Sequence, residues 1–498
     1  MLVTDYLKRS AELYGDKTAY VDEKRSITFA QLKNEACHIA SALVKMNAFK
    51  VPAAVYLDKS VECIAAFLGT AYSGNFYSPL DTKMPEERIN KIMNTLQPEV
   101  IITDRAHAGE VTSFAKDVKV LVYEDAMEAE ADENAVNAAE AKVCDTDVLY
   151  ILFTSGSTGN PKGVIISQRA LVDFIEWGTE YLGADDTFVF GNQTPFYFSM
   201  SVFDIYQTLK NGATMYIIPH ELFSMPAMLM EYLDQRSINT VFWVPSALMM
   251  VSALGALNSP HLNALKNVFF GGEVMPMKQL NKWRKEYPDV RYINFYGPTE
   301  ATDTCTIYEV NREFENTENL PMGNACKNMD VFLLDENDHL VTDQSIGEVC
   351  VRGTGIAYGY YNAPDKTAEV FVQNPLNKAY PELIYRTGDL AQRNEYGELV
   401  YMGRKDFQIK HMGHRIELGE IETAVNALDC VKECACLYDS KRSKIKLYYT
   451  GDVEADELGE MLKTKLPVYM LPGKRTKLEV MPKNLNGKID RQLLKNMR

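Results

Sequence analysis

Residues 51–103 read VPAAVYLDKSVECIAAFLGTAYSGNFYSPLDTKMPEERINKIMNTLQPEVIIT. Short apolar runs (VPAAVYL, NFYSPLD, PEVIITD) alternate there with longer segments (VECIAAFLGTAYSG, EERINKIMNTL) whose apolar residues recur at helical spacing. The segment ITFAQLKNEACHIASALVKM just before it has the same helical texture. Buried strands alternating with helices predict an α/β sheet, because each crossover helix covers one face of the strands it joins. The alternation resumes from 148 to about 312. From about 329 to 402 it gives way to short strand-like runs with turns (VFLLDENDHLV, GEVCVRG, GELVYMG), which predict a β-rich subdomain. Beyond GRKD at 403–406, IELGEIETAVNAL, VKECACLYD and KIKLYYTG make a compact α+β unit. The expected fold is therefore α/β: an N-terminal domain over 1–403 with α/β and β-rich parts, then a small C-terminal domain over 404–498. The acidic, Ala-rich stretch 124–147 reads as a surface connection, with a solvated helix as the alternative.

The chain has 498 residues, a net charge of −16, 46% hydrophobic and 24% charged residues. That composition is globular, and its charge disfavours nucleic acid or an anionic membrane as partner. Nine cysteines show no CxxC pair and no zinc spacing, and the N-terminal segment has no continuous apolar core, so reduced thiols and a cytoplasmic location are expected. The last 38 residues run against the overall charge, with ten Lys or Arg and two acidic residues.

Directly after the run VLYILF comes Thr154-Ser-Gly-Ser-Thr-Gly-Asn-Pro-Lys-Gly163. Backbone N–H groups, hydroxyls and an ammonium in one such loop suit phosphate oxygens. It is no Walker A loop, since GK[ST] is absent. Five further motifs follow: NFYGPTEAT (294–302), GTGIAYGY (353–360), YRTGDL (385–390), GRKDFQIKHMGHRIELGE (403–420) and NLNGKIDR (484–491). In content and order this set resembles the adenylate-forming enzymes, which include acyl-CoA synthetases, luciferases and the adenylation domains of nonribosomal peptide synthetases.

The resemblance implies a set of roles. Lys488 matches the catalytic lysine that bridges the carboxylate and the α-phosphate, a place where anionic oxygens converge and a cation is needed. Glu300 matches the Mg²⁺ ligand, and Thr158 stands with these two as catalytic. ATP is implied to be held by Thr154, Ser155, Gly156, Ser157, Thr158, Gly159, Lys162, Asn294, Tyr296, Gly297, Thr299, Asp389, Arg404 and Lys488. Of these, Asp389 and Arg404 face the ribose and Tyr296 stacks on adenine. Asp406 matches the hinge about which the C-terminal domain turns, so that domain is expected to be mobile. The cofactors implied are ATP and Mg²⁺.

The run 191–206 and the tail LPVYMLPGKRTKLEVMPKNLNGKIDR look most like the amino-acid-activating branch, which includes stand-alone D-alanine to carrier-protein ligases. Phe198 stands where acyl-CoA synthetases often carry His, which favours a phosphopantetheine thiol on a separate carrier protein over free CoA. Carriers are commonly acidic, so Lys474, Arg475 and Lys477 are a candidate docking surface. The substrate pocket implied by alignment is Phe198, Ser199, Met200, Phe203, Trp243, Phe269, Gly271, Phe295, Asp303 and Thr304. The rings of Phe203, Trp243, Phe269 and Phe295 predict a narrow, flat, largely apolar slot.

One position departs from the branch. Ser199 occupies the site of the FDxS aspartate that pairs with an α-ammonium, and a hydroxyl cannot neutralise a buried ammonium. Two substrate readings follow: an aryl or hydroxy acid without a free α-amine, or an amino acid whose amine reaches Asp303. The alternatives are a D-alanine-like carrier-protein ligase, an acyl-CoA ligase using free CoA, and a non-catalytic nucleotide-binding relative.

Overall fold

The computed structural model describes residues 1–498 except 116, 157–159, 407, 441, 484–488 and 498. It divides into two compact units: one of residues 1–82, 97–152 and 164–405, the other of residues 83–96, 153–163 and 406–498. The first unit thus runs through Lys405, two residues past the expected 403/404 line, and two segments distant in sequence cluster with the C-terminal residues.

The first unit is built on parallel sheets. One contains, in order, Asn324–Ala325, Thr306–Glu309, Arg291–Tyr296, Asn267–Gly271, Thr240–Trp243, Val189–Asn192, Thr214–Ile217, Thr18–Val21 and Ser26–Thr28. Its consecutive strands from Arg291–Tyr296 to Thr18–Val21 are all parallel. The carboxyl ends Asn192, Trp243, Gly271 and Tyr296 therefore share one edge, where open α/β sheets bind ligands. The second sheet orders Lys119–Val122, Val100–Thr103, Pro52–Tyr56, Phe76–Leu80, Val148–Thr154 and Lys162–Ser167. Pro52–Tyr56, Phe76–Leu80 and Val100–Thr103 are buried at every residue, as strands covered on both faces must be, which explains their unbroken apolar runs. The β-rich part is an antiparallel sheet around Met329–Leu334, Gly347–Gly353 and Leu383–Arg393. The expected α/β class with a β-rich subdomain is the class observed.

Local signals set the helix ends. Thr28 caps Phe29–Lys45 in a reciprocal pair with Gln31, and Ser167 caps Gln168–Leu182, which stops at Gly183 in the left-handed region (φ 65°). The stretch 124–147 lies largely at the surface and carries helices Tyr123–Glu128 and Glu133–Glu140, with Ala126, Val136 and Ala139 buried. Its few buried positions include two alanines and Glu140, so its hydrophobic signal is weak although the packing is real. Among the described residues, no helix is long and apolar enough to cross a membrane.

In the second unit, the hairpin Gln408–His411/His414–Glu417, helix Leu418–Asn426 and the sheet Val431–Asp439, Lys444–Gly451, Lys474–Lys477 enclose a core of Ile416, Ile421, Val425, Leu447, Tyr449, Leu458 and Leu462. Helix Glu86–Leu96 belongs to this unit, and its Arg88 forms a buried ion pair with Glu420 (side chains 6% and 5% exposed). Burial raises the Glu420 carboxyl above its ordinary range, while Arg88 pulls it back. Arg88→Ala should destabilise this unit by about 3–5 kcal/mol, because it strands a buried carboxylate. The double change Arg88→Met with Glu420→Leu should recover most of that loss in a thermal melt, since it removes both charges together.

Candidate active site

Within the first unit the motifs YRTGDL and GRKD bring Asp389 and Arg404 together. Strand Leu383–Arg393 pairs antiparallel with Leu399–Arg404 so that Asp389 lies opposite Arg404. Arg404 Nη1 donates to Asp389 Oδ1 at 2.6 Å, and the Tyr296 hydroxyl donates to Asp389 Oδ2 at 2.6 Å. Asp389 is 2% exposed, and its own N–H donates to Thr387 Oγ1 at 3.0 Å. Burial, reinforced by the Asp389 charge, raises the Tyr296 hydroxyl far above its usual range, so it stays a proton donor to that carboxylate. The Asp389–Arg404 pair was legible in the motifs. The Tyr296 link, made between residues 93 apart, was not.

Glu300 sits in the short 3₁₀ turn Thr299–Ala301 and is fully buried. Its Oε1 accepts the Tyr360 hydroxyl at 2.7 Å, and its carbonyl accepts the Ala357 N–H at 2.9 Å, which fastens GTGIAYGY to FYGPTE. A single buried carboxylate fits a Mg²⁺ ion that takes its other oxygens from nucleotide phosphates and water. Asn294 Nδ2 donates to the Pro321 carbonyl at 2.9 Å and so holds the strand end that carries Tyr296.

The phosphate loop falls in the second unit. Ser155 Oγ donates to the Arg415 carbonyl at 2.6 Å and accepts from Glu417 N–H at 3.2 Å, while Gly156 N–H donates to Glu420 Oε2 at 3.3 Å. Two donors expected to face phosphate are thus engaged by the HRIELGE segment. Thr154 Oγ1 is buried and has no hydrogen-bond partner among the described residues. Lys162 opens strand Lys162–Ser167. Ser157, Thr158, Gly159 and Lys488 lie outside the described residues. Asp406, the expected hinge, is the first residue of the second unit's C-terminal stretch, and its carboxylate accepts the Gln408 N–H at 3.1 Å.

Of the residues expected to line an acid pocket, the large rings are internal. Phe203, Trp243, Phe269 and Phe295 are 0–3% exposed. The rings of Phe203, Phe269 and Phe295 pack on one another with centroids 5.4–6.3 Å apart, while Trp243 packs edge-on against Phe223 and donates its Nε1–H to the Gly191 carbonyl at 2.8 Å. A Cβ at Gly271 would meet the Phe295 carbonyl oxygen at 2.6 Å, so this glycine permits close strand packing rather than opening space. These rings are packed in the hydrophobic core. Phe198 and Met200 lie at the start of helix Ser201–Asn211, where the Ser201 hydroxyl donates to the Phe198 carbonyl at 2.7 Å. The polar members come together: Ser199 Oγ donates to Asp303 Oδ1 at 2.9 Å, and Thr304 Oγ1 donates to Asp303 Oδ2 at 3.1 Å.

Sequence reasoning missed a neighbouring polar group. Asp204, 1% exposed, accepts Asn192 Nδ2 at 2.8 Å, and burial pushes its carboxyl up to about 8, with the Asp303 charge adding to the rise. Lys59 donates to the Gln193 carbonyl at 3.1 Å and is lowered to about 7 by burial. Asp204 lies four residues from Met200 on an amphipathic helix, where an acid reads as solvent-facing. In the candidate docking surface, Lys474 and Lys477 are exposed, Lys477 pairing with Glu454 at 2.7 Å, and Arg475 is engaged by the Ala455 and Pro472 carbonyls.

The AMP-binding enzyme family model matches residues 7–361. Tyrocidine synthase 1 of Brevibacillus parabrevis is 31% identical over 98% of this chain, which spans 44% of that protein. The D-alanine–D-alanyl carrier protein ligase of Bacillus licheniformis is 31% identical over 99% of both chains. Among solved structures, holo-PA1221, described as a nonribosomal peptide synthetase protein containing adenylation and PCP domains, superposes with a TM-score of 0.84 over 99% of this chain and 84% of its own, at 24% identity, a likeness of fold. With its ordered motifs, its family match and relatives along its whole length, the chain belongs to the AMP-binding enzyme family, that of the adenylate-forming enzymes.

Proposed function

We propose that the protein activates a small carboxylic acid with ATP and passes the acyl group to the phosphopantetheine thiol of a separate carrier protein. In the first half-reaction a carboxylate oxygen attacks the α-phosphorus, the bond to the leaving diphosphate breaks, and acyl-adenylate and pyrophosphate form. In the second, a thiolate attacks the acyl carbon and AMP leaves with the acid's oxygen. The observation that carries this reading is the buried Asp389 carboxylate, held from both sides by Tyr296 and Arg404, in the same unit as Glu300 and the Ser199–Asp303 pair.

Each group has a task in this reading. Asp389 accepts hydrogen bonds from the ribose hydroxyls, with Arg404 and Tyr296 fixing its orientation. The phosphate loop donates to phosphate oxygens once Ser155 and Gly156 exchange their present partners for them. Lys488 neutralises the charge that converges between the carboxylate and the α-phosphate. Mg²⁺, when bound at Glu300, offsets phosphate charge. Acid-dependent exchange of labelled pyrophosphate into ATP tests the first half-reaction, and transfer to a carrier compared with free CoA tests the second. A faster rate with CoA would replace the carrier by an acyl-CoA product. A second reading, activation of D-alanine itself, is favoured by the match to the ligase of that name along 99% of its length. Exchange with D-alanine as the preferred acid would establish it.

A further inference from the structure

We propose, resting on the adenylation reading above, that Lys59 is a positioning residue for the acid: its ammonium holds the loop 193–200, which carries Phe198 and Ser199, in the conformation that receives it. Lys59 stands between strand Pro52–Tyr56 and helix Val61–Tyr72, whose N-terminus is capped by the Ser60 hydroxyl. It therefore projects from the carboxyl end of one parallel sheet, and its partners lie at the carboxyl end of the other, all within the first unit. The ammonium donates to the Gln193 carbonyl at 3.1 Å, lies 3.5 Å from the Asn192 carbonyl, and stands 5.5 Å from the centre of the Phe196 ring. Among the described residues no carboxylate pairs with it, so its hydrogen bonding is spent on the backbone that leads into the loop.

The loop is tied at both ends. At its start the Asn192 carbonyl also accepts the Ile218 N–H at 3.1 Å, and the Asn192 side chain donates to Asp204 at 2.8 Å. At its end the Phe198 N–H donates to the Pro195 carbonyl at 3.0 Å, and the Ser201 hydroxyl donates to the Phe198 carbonyl at 2.7 Å. Lys59 holds the stretch between these ties, at Gln193 and Phe196, from a different element. Ser199 then reaches Asp303 at 2.9 Å and Thr299 Oγ1 at 3.4 Å, so a shift of the loop passes on to the segment beside Glu300.

Packing alone does not call for a cation here. Burial lowers the Lys59 ammonium to about 7, whereas an apolar side chain of similar length would fill the same space without that desolvation. What the ammonium adds is direction, because charge-assisted donors hold carbonyls more firmly than neutral ones. An ionisable group shifted by burial, at the sheet edge where open α/β folds bind ligands, fits a site role. Asp204 is the charged group that acts on Lys59, and Lys59 and Asp303 are those that act on Asp204. As pH rises through about 7 the ammonium gives up its proton, and its hold on the loop weakens.

The test compares Lys59→Met and Lys59→Arg with the wild-type chain. Pyrophosphate exchange is followed across neutral pH with whichever of glycine, D-alanine, L-alanine, β-alanine, propionate and benzoate the wild type uses fastest. In the wild type the KM for the acid should rise with pH through an inflection near about 7. Lys59→Met should raise that KM about tenfold on the acid side of the inflection and flatten the profile, with the ATP KM and the melting temperature close to wild type. Lys59→Arg should keep the low KM and lose the inflection, because a guanidinium stays charged. An acid KM in Lys59→Met equal to wild type, acid and ATP KM raised together, or the wild-type inflection persisting in Lys59→Arg overturns the proposal and leaves adenylation standing. Amide hydrogen exchange over residues 193–200, read without any ligand, is the second measurement. It should be about tenfold faster in Lys59→Met, as local opening becomes easier, and an equal rate overturns the proposal whatever the acid. Pyrophosphate exchange with none of the acids counts against the adenylation reading, while the amide measurement still decides the role of Lys59 in the loop. Should Lys59→Met fail to fold, the profiles of wild type and Lys59→Arg decide.

Discussion

Lys488→Ala should lower acid-dependent pyrophosphate exchange by about 10²- to 10³-fold, the usual cost of removing one group that stabilises developing charge in a transition state. The loss should fall on kcat, with ATP binding measured by calorimetry close to wild type, because a cation aimed at the point of attack contributes most where negative charge converges. Lys488→Arg should recover little, since a planar guanidinium cannot take the place of a compact ammonium. Exchange at the wild-type rate in Lys488→Ala would remove this lysine from the chemistry.

Asp389→Ala should act on both binding and stability. It deprives the Arg404 guanidinium, whose side chain is 8% exposed, of this carboxylate, and it deprives the Tyr296 hydroxyl of its acceptor. Breaking a buried ion pair from one side costs about 3–5 kcal/mol. A lower melting temperature of the first unit and an ATP KM raised by at least tenfold are therefore expected together. In Asp389→Asn, which keeps the shape and one acceptor oxygen, most of the stability should return while ATP binding stays weak. A full return of ATP affinity in Asp389→Asn would mean that the carboxylate orients Arg404 and Tyr296 rather than the ribose.

What could be read in the sequence was whatever is written locally. The Asp389–Arg404 pairing follows from two motifs on adjacent antiparallel strands, and the parallel sheets follow from unbroken apolar runs between helical segments. What could not be read depends on distant partners. The buried tie between Arg88 and Glu420 joins residues 332 apart, and nothing in the helix Glu86–Leu96 marks its first-turn arginine as internal. Alignment named Phe203, Phe269 and Phe295 as expected pocket residues, but only the ring geometry shows that they pack on one another. The hydrogen bond from Ser199 to Asp303 lies between these extremes. The missing acid at 199 and the unusual acid at 303 were both visible in the sequence, whereas their 2.9 Å contact required the left-handed bend at Thr302 and Asp303.

The most direct test of the account follows an oxygen atom. An acid labelled with oxygen-18 in its carboxyl group, incubated with enzyme, ATP and a thiol acceptor, must leave one labelled oxygen in AMP, because the carboxylate oxygen that attacks the α-phosphorus stays there when the thiolate takes the acyl group. The account predicts singly labelled AMP in amounts equal to thioester formed. Unlabelled AMP, or ADP as the nucleotide product, would contradict it.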